Sequence, residues 1–243
     1  MGGLVRSKSK AFMYIAHLLA AMAAVMVLVW SIHFRGGLAF ESANKSLIFN
    51  VHPVLMLIGF IIMGGEATMS YRTLPWSKRV KKTIHLILHA IALVLGVFGI
   101  YFAFKFHNES GIDNLYSLHS WMGLGTICLY GIQWIFGFVT FLYPGASVFL
   151  RTAYLAWHVL FGVFVYLLAI ATAELGFLEK LTFLETSGIL HSAENRQSVD
   201  HRSEQSRESV LFPLTQHRER ERERDQWSVD QQLNRSRSCS GVQ

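Results

Sequence analysis

Five stretches of this chain, at about residues 12–33, 48–70, 83–104, 116–141 and 152–174, are continuous apolar runs of membrane-spanning length, roughly 20 residues being needed to cross a bilayer. Short polar connections separate them, which predicts helices packed beside their sequence neighbours in an antiparallel bundle. Pro53 falls near the start of the second run, where a first helical turn tolerates a missing N–H. Pro144-Gly145 marks the turn between the fourth and fifth. The first run is longer than the roughly 7–15 residues of a signal-peptide core, and no small-residue cleavage site follows it. The predicted fold class is therefore an all-α membrane protein, an antiparallel transmembrane helix bundle of five spans.

The pattern stops at His191. From there to Gln243 the chain is rich in Ser, Gln and Arg, with alternating Arg and Glu from Arg218 to Arg224. Such a composition buries too little apolar surface to offset its ordering entropy, so 191–243 is predicted to be a disordered polar tail. A lone mixed-charge helix is the alternative, but charges alternating at every second residue do not match i,i+4 pairing. Residues 1–11 are then an N-terminal segment and 12–190 the membrane domain.

Composition agrees, at 52% hydrophobic. The net charge of +6 is not a nucleic-acid footprint. Residues 1–190 carry 13 Lys and Arg against 7 Asp and Glu, while the tail carries 9 of each sign. Nine of the 13 cations flank the N-terminus, the 71–82 connection and the start of span 5; four lie on the alternate side. By the positive-inside rule this puts the N-terminus and the 71–82 loop in the cytoplasm. The sequons at Asn44 and Asn108 fall in loops on the other side. Cys128 and Cys239 form no plausible disulfide framework.

Candidate chemistry comes from histidines. His52, His85, His119 and His158 stand at the same depth in four successive spans. Antiparallel packing sorts them into two pairs, His52 with His119 toward one face and His85 with His158 toward the other. Ionisable residues within a span are costly and usually functional, and imidazole is a common ligand for haem iron. Gly123 and Gly162, each four residues after a histidine, Gly59, seven after, and Gly96, eleven after, return to the histidine's face, where they leave room for a flat macrocycle. The alternative is that small residues simply let helices approach. His89, one turn beyond His85, competes for the ligand role on spacing alone. His17 has no partner at its depth and reads as a satisfied polar group of the bundle; His33 and His107 lie at the membrane margin. Two stacked bis-histidine sites would relay electrons across a membrane. Arg72, Lys78, Lys82 and Arg151 come from the span ends around the inner pair and would suit a small anionic donor; the alternative is that they only set topology or meet lipid headgroups.

Several strings carry a family resemblance: Asn50-Val51-His52-Pro53, Tyr71-Arg72, Lys82-Thr83-Ile84-His85, Leu115-Tyr116-Ser117-Leu118-His119-Ser120-Trp121 and Tyr143-Pro144-Gly145-Ala146-Ser147, with Arg151 seven residues before His158. Over roughly residues 10–190 the chain resembles the cytochrome b561 family of ascorbate-dependent transmembrane reductases, especially its plant members. The resemblance implies two b-type haems per protomer, one on His52 and His119, the other on His85 rather than His89, with His158. It implies that cytoplasmic ascorbate docks at Arg72, Lys78, Lys82 and Arg151. An acceptor, monodehydroascorbate or a ferric chelate, would meet His107 and Tyr116. A homodimer in an endomembrane, such as the vacuolar membrane, or in the plasma membrane is also implied. The family's sixth span, expected after Leu178–Leu181, is missing here; the chain turns polar as an alternative reading frame would. Two rival readings are a haem-free proton-relay channel and a non-catalytic or haem-deficient splice variant acting only as a membrane subunit.

Overall fold

The computed structural model describes the backbone of residues 2–239, and among the described residues there is helix and no strand. Among the described residues five helical segments are long and apolar enough to cross a membrane: Ala11–Phe34, Lys45–Tyr71, Lys78–Ser110, Leu118–Phe141 and Val148–Gly188. These are the five spans that the apolar runs predict. Helix α1 (Gly2–Val29) widens at its end into a π turn, Trp30–Phe34. The second span is composite: α2 (Lys45–Phe49), α3 (Val51–Val54), a π-helical stretch Leu55–Ile62, then α4 (Met63–Thr73). Pro53 lacks an N–H, and the wider turns begin directly after it, where the hydrogen-bond register shifts around the missing donor. Single helices form the remaining spans: α5 (Lys78–Ser110), α6 (Leu118–Phe141) and α7 (Val148–Cys239).

Local signals set the boundaries. The side chains of Asn44, Ser77 and Ser117 accept from the backbone N–H groups of Ser46, Val80 and Ser120 at the starts of α2, α5 and α6, caps worth about 1 kcal/mol each. Gly111, at φ 68°, ends α5 in the left-handed conformation that a Cβ disfavours. From 191 onward the composition predicts disorder, whereas α7 continues as helical backbone to Cys239. Between Gly188 and Cys239 the sequence has no glycine and a single proline, Pro213. Good helix formers such as Glu, Arg and Gln can therefore extend a helix already nucleated by the span. The chain divides into two units, Met1–Lys180 and Leu181 onward; the site described below lies wholly in the first.

Phe60, Ile61, Ala92, Ile127, Tyr130, Val165 and Ala169, from spans 2 to 5, form the core. Spans 2 and 3 approach closely through glycines. A Cβ at Gly59 would sit 2.8 Å from Leu95 Cβ, and one at Gly96 would sit 2.9 Å from Phe60 and from Ile127. Small residues therefore serve helix–helix packing here. Large apolar side chains on α7, such as Leu160, Phe161 and Phe164, point outward, where a lipid tail is as good a neighbour as another leucine.

Asn50 ties the first connection to span 2. Fully buried, it donates through Nδ2 to Gly37 O at 2.8 Å and Arg35 O at 3.3 Å. Asn50→Leu removes both bonds and is expected to lower stability by about 1–3 kcal/mol, read as a lower thermal midpoint in detergent; an unchanged midpoint would show that these bonds are not holding the connection.

Candidate functional site

Each of spans 2 to 5 contributes one of the four histidines, and the two helical hairpins hold them reciprocally. His52 Nδ1 lies 2.9 Å from Gly99 O on α5, and His85 Nδ1, on α5, lies 3.0 Å from Ala67 O on α4. In the second hairpin His119 Nδ1 lies 2.9 Å from Thr172 O on α7, and His158 Nδ1, on α7, lies 3.0 Å from the Gln133 amide on α6. A carbonyl can only accept, so three of the four Nδ1 atoms carry the proton and Nε2 keeps its lone pair. That is the arrangement metal-ligating histidines adopt, with the second ring nitrogen donating to a carbonyl. The Gln133 amide also donates to His158 O at 2.7 Å.

Between hairpins the rings pair as the depth argument predicts. The His52 and His119 centroids are 6.0 Å apart, and those of His85 and His158 are 6.3 Å apart. A ligating imidazole nitrogen sits about 2 Å from its metal, which separates the centroids of two trans rings by about 6 Å. Among the described residues no three His, Cys, Asp or Glu converge. A bare ion would thus have two protein ligands, whereas haem brings four nitrogens of its own and asks for two axial ones. The residues fit haem. Gly99 and His85 are fourteen residues apart on α5, which places the pairs about 21 Å apart along the bundle. The Phe60–Tyr130 ring contact at 4.7 Å belongs to the core of the same bundle.

The glycines beside the imidazoles come from across the bundle. A Cβ at Gly176 would lie 2.7 Å from His119 Cε1, and one at Gly137 would lie 3.1 Å from His158 Cε1. Gly59 and Gly96, read from sequence as leaving space beside their own histidines, pack against neighbouring helices instead. The periodicity of one helix cannot show which residue on another faces it. His89 is engaged elsewhere: its Nδ1 meets the Tyr130 hydroxyl, and its ring stands edge-on to His85 at 4.3 Å. His17 pairs with Glu66 Oε1 at 2.7 Å, as a satisfied bundle group should. Glu66 and Gln133 went unnoticed in the sequence, although a carboxylate and an amide inside apolar runs are themselves a signal.

Lys82 lies three residues before His85 on α5, and Arg151 seven before His158 on α7. Two neighbours bring these ends to the inner pair: the Tyr71 ring is 6.0 Å from His85 and the Tyr154 ring 6.1 Å from His158. Lys78 opens α5 and is exposed. Arg72 follows Tyr71, and its side chain lies outside the described residues. At the opposite end His107 and Tyr116 come together, with centroids 5.9 Å apart, and Tyr116 donates to Glu179 Oε1 at 2.9 Å. Partial burial and this bond push the phenol up to about 12, so it keeps its proton at any physiological pH.

The model of the eukaryotic cytochrome b561 family matches residues 51–184. Over 179 residues, 73% of this chain and 76% of the relative, the sequence is 73% identical to the probable ascorbate-specific transmembrane electron transporter 1 of Oryza sativa subsp. japonica. It is 64% identical over 185 residues to the transmembrane ascorbate ferrireductase 1 of Arabidopsis thaliana, covering 76% of this chain and 77% of that one. Identity to the transmembrane ascorbate-dependent reductase of Bos taurus is 43% over 169 residues, 69% of this chain and 66% of the relative.

Proposed function

The chain belongs to the eukaryotic cytochrome b561 family, and from that membership we propose how its own residues carry out ascorbate-dependent electron transfer across a membrane. It is a multi-pass oxidoreductase of a family whose cofactor is haem b. When bound, the haem supplies reversible one-electron redox chemistry. We assign two haems per chain, one held by His52 and His119 and one by His85 and His158. The observation that carries this reading is the pair of imidazole separations, 6.0 and 6.3 Å, with the outward nitrogen of nearly every ring already committed to a carbonyl. A haem held in this way between two imidazoles would supply outer-sphere electron transfer rather than oxygen chemistry.

The charge distribution orients the reaction. Nine cations against four put the end with the 71–82 loop in the cytoplasm. There Arg72, Lys78, Lys82 and Arg151 attract ascorbate, an anion at neutral pH, and hold it beside the His85 and His158 pair. On the far side His107 and the protonated Tyr116 meet the acceptor, monodehydroascorbate or a ferric chelate. The protein works as a homodimer in the vacuolar or another endomembrane, or in the plasma membrane.

Proteoliposomes loaded with ferric chelate and supplied with external ascorbate test this reading: internal iron is reduced at a rate that follows the haem content. With Lys82→Met or Arg151→Met, the ascorbate KM should rise about tenfold while the spectrum stays intact. A KM unmoved by both changes would place the donor elsewhere, and a colourless purified protein would refute the electron-transfer assignment.

A further inference from the structure

The end of the bundle that holds His52 and His119 carries an unbalanced pair of cations. Three of its carboxylates are engaged: Glu41 with Lys105, Glu109 with Lys45 and Lys105, and Glu179 with the Tyr116 hydroxyl. Asp113, on the connection before α6, and Glu174, on α7, are exposed. Arg35 and Lys180 have no carboxylate partner among the described residues, and consecutive residues of span 2 join them: Lys180 Nζ stands 4.8 Å over the Phe49 ring, and the Asn50 amide donates to Arg35 O. Part-buried like charges held together call for an anion between them.

Buried polar atoms at the same junction point the same way. Among the described residues Arg35 Nε, Ser31 Oγ and Asn50 Oδ1 are buried without a hydrogen-bond partner. Bonds to backbone carbonyls gather these residues: the Asn50 side-chain amide donates to Arg35 O, and Gly37 N donates to Ser31 O at 3.0 Å. Ser31 is 0% exposed. The Arg35 N–H and the Ser31 hydroxyl are donors, and what they lack is an acceptor; Asn50 Oδ1, itself an acceptor, does not serve the anion. Position then narrows the choice. Lys180 is one turn beyond Gly176, the glycine against the His119 ring. Its ammonium stands 4.8 Å over the Phe49 ring, whose centroid is 6.1 Å from that of His52.

We propose that Arg35, Lys180 and Ser31 form an oxyanion site for a propionate carboxylate of the haem held by His52 and His119. The proposal rests on the two-haem reading. A lipid phosphate offers the same oxyanion chemistry, and interfacial cations commonly meet one. Here, however, the Arg35 Nε and the Ser31 hydroxyl are buried, and the Lys180 ammonium sits over a ring that neighbours a ligand.

The test is a redox titration of the full-length chain carrying Lys180→Met, Arg35→Gln or Lys180→Arg, in uncharged detergent freed of lipid, with haem content measured alongside. Lys180→Met and Arg35→Gln should keep two haems and move only one of the two one-electron steps to lower potential, because losing a nearby cation disfavours adding an electron. Lys180→Arg should restore that step. Two haems with both steps unmoved overturns the inference and leaves the two-haem reading standing. A shift seen only after phosphatidylglycerol is added assigns the cations to a headgroup and also overturns it. A wild-type chain with fewer than two haems removes the reading on which it rests.

Discussion

Replacing His158 with alanine is expected to halve the haem content, from two per chain to one, and to bring ascorbate-driven transfer in proteoliposomes down to background, at least about a hundredfold. Replacing His89 should leave both haems in place. The two residues sit at the same end of the bundle, and spacing along α5 alone does not rank His89 below His85. Geometry separates them. His158 faces His85 at 6.3 Å between centroids, while His89 spends its Nδ1 on the Tyr130 hydroxyl. Neither histidine of the other pair could take over, because His52 and His119 lie about 21 Å away along the bundle. Haem per protein after extraction, together with the reduced-minus-oxidised spectrum, decides the matter. Two haems surviving in His158→Ala would break the ligand assignment.

Gly176→Val should be nearly as damaging, although position 176 binds nothing. A Cβ there would lie 2.7 Å from His119 Cε1 and 3.0 Å from Nδ1. The ring cannot simply retreat, because Thr172 O, one turn earlier on the same helix, holds its Nδ1 at 2.9 Å. Either the bond to Thr172 breaks and the ring turns, or α7 moves away from α6. Overpacking of this kind costs about 1–3 kcal/mol, and in either case the two imidazoles leave the separation that axial ligation requires. The expected result is one haem per chain and a lower thermal midpoint. Gly125→Ala is the control: it lies on the same span as His119, is exposed, and a Cβ there meets nothing within 4 Å. Should Gly176→Val keep two haems, the close approach of α7 to His119 is not what fixes the ring.

A good part of this was readable along the chain. The five spans were, because the hydrocarbon requirement is a matter of length and composition, which a single strand of sequence carries. The pairing of His52 with His119 and of His85 with His158 followed from depth and antiparallel order. The glycine pattern misled for Gly59 and Gly96, since the same residue suits a cofactor and a neighbouring helix equally well. The tail from 191 differs as well: its composition offers no core, while its backbone follows local helix propensity to Cys239.

The sequence by itself determined the number of spans, the charge asymmetry between their ends and the depth of the four imidazoles, because each depends on positions counted along one helix. Tertiary structure decided what those imidazoles touch: the carbonyls of Gly99, Ala67 and Thr172, the Gln133 amide and the bare surface of Gly176. These are relations between helices far apart in the chain, and rotation of one helix about its axis, invisible to any one-dimensional pattern, sets them all.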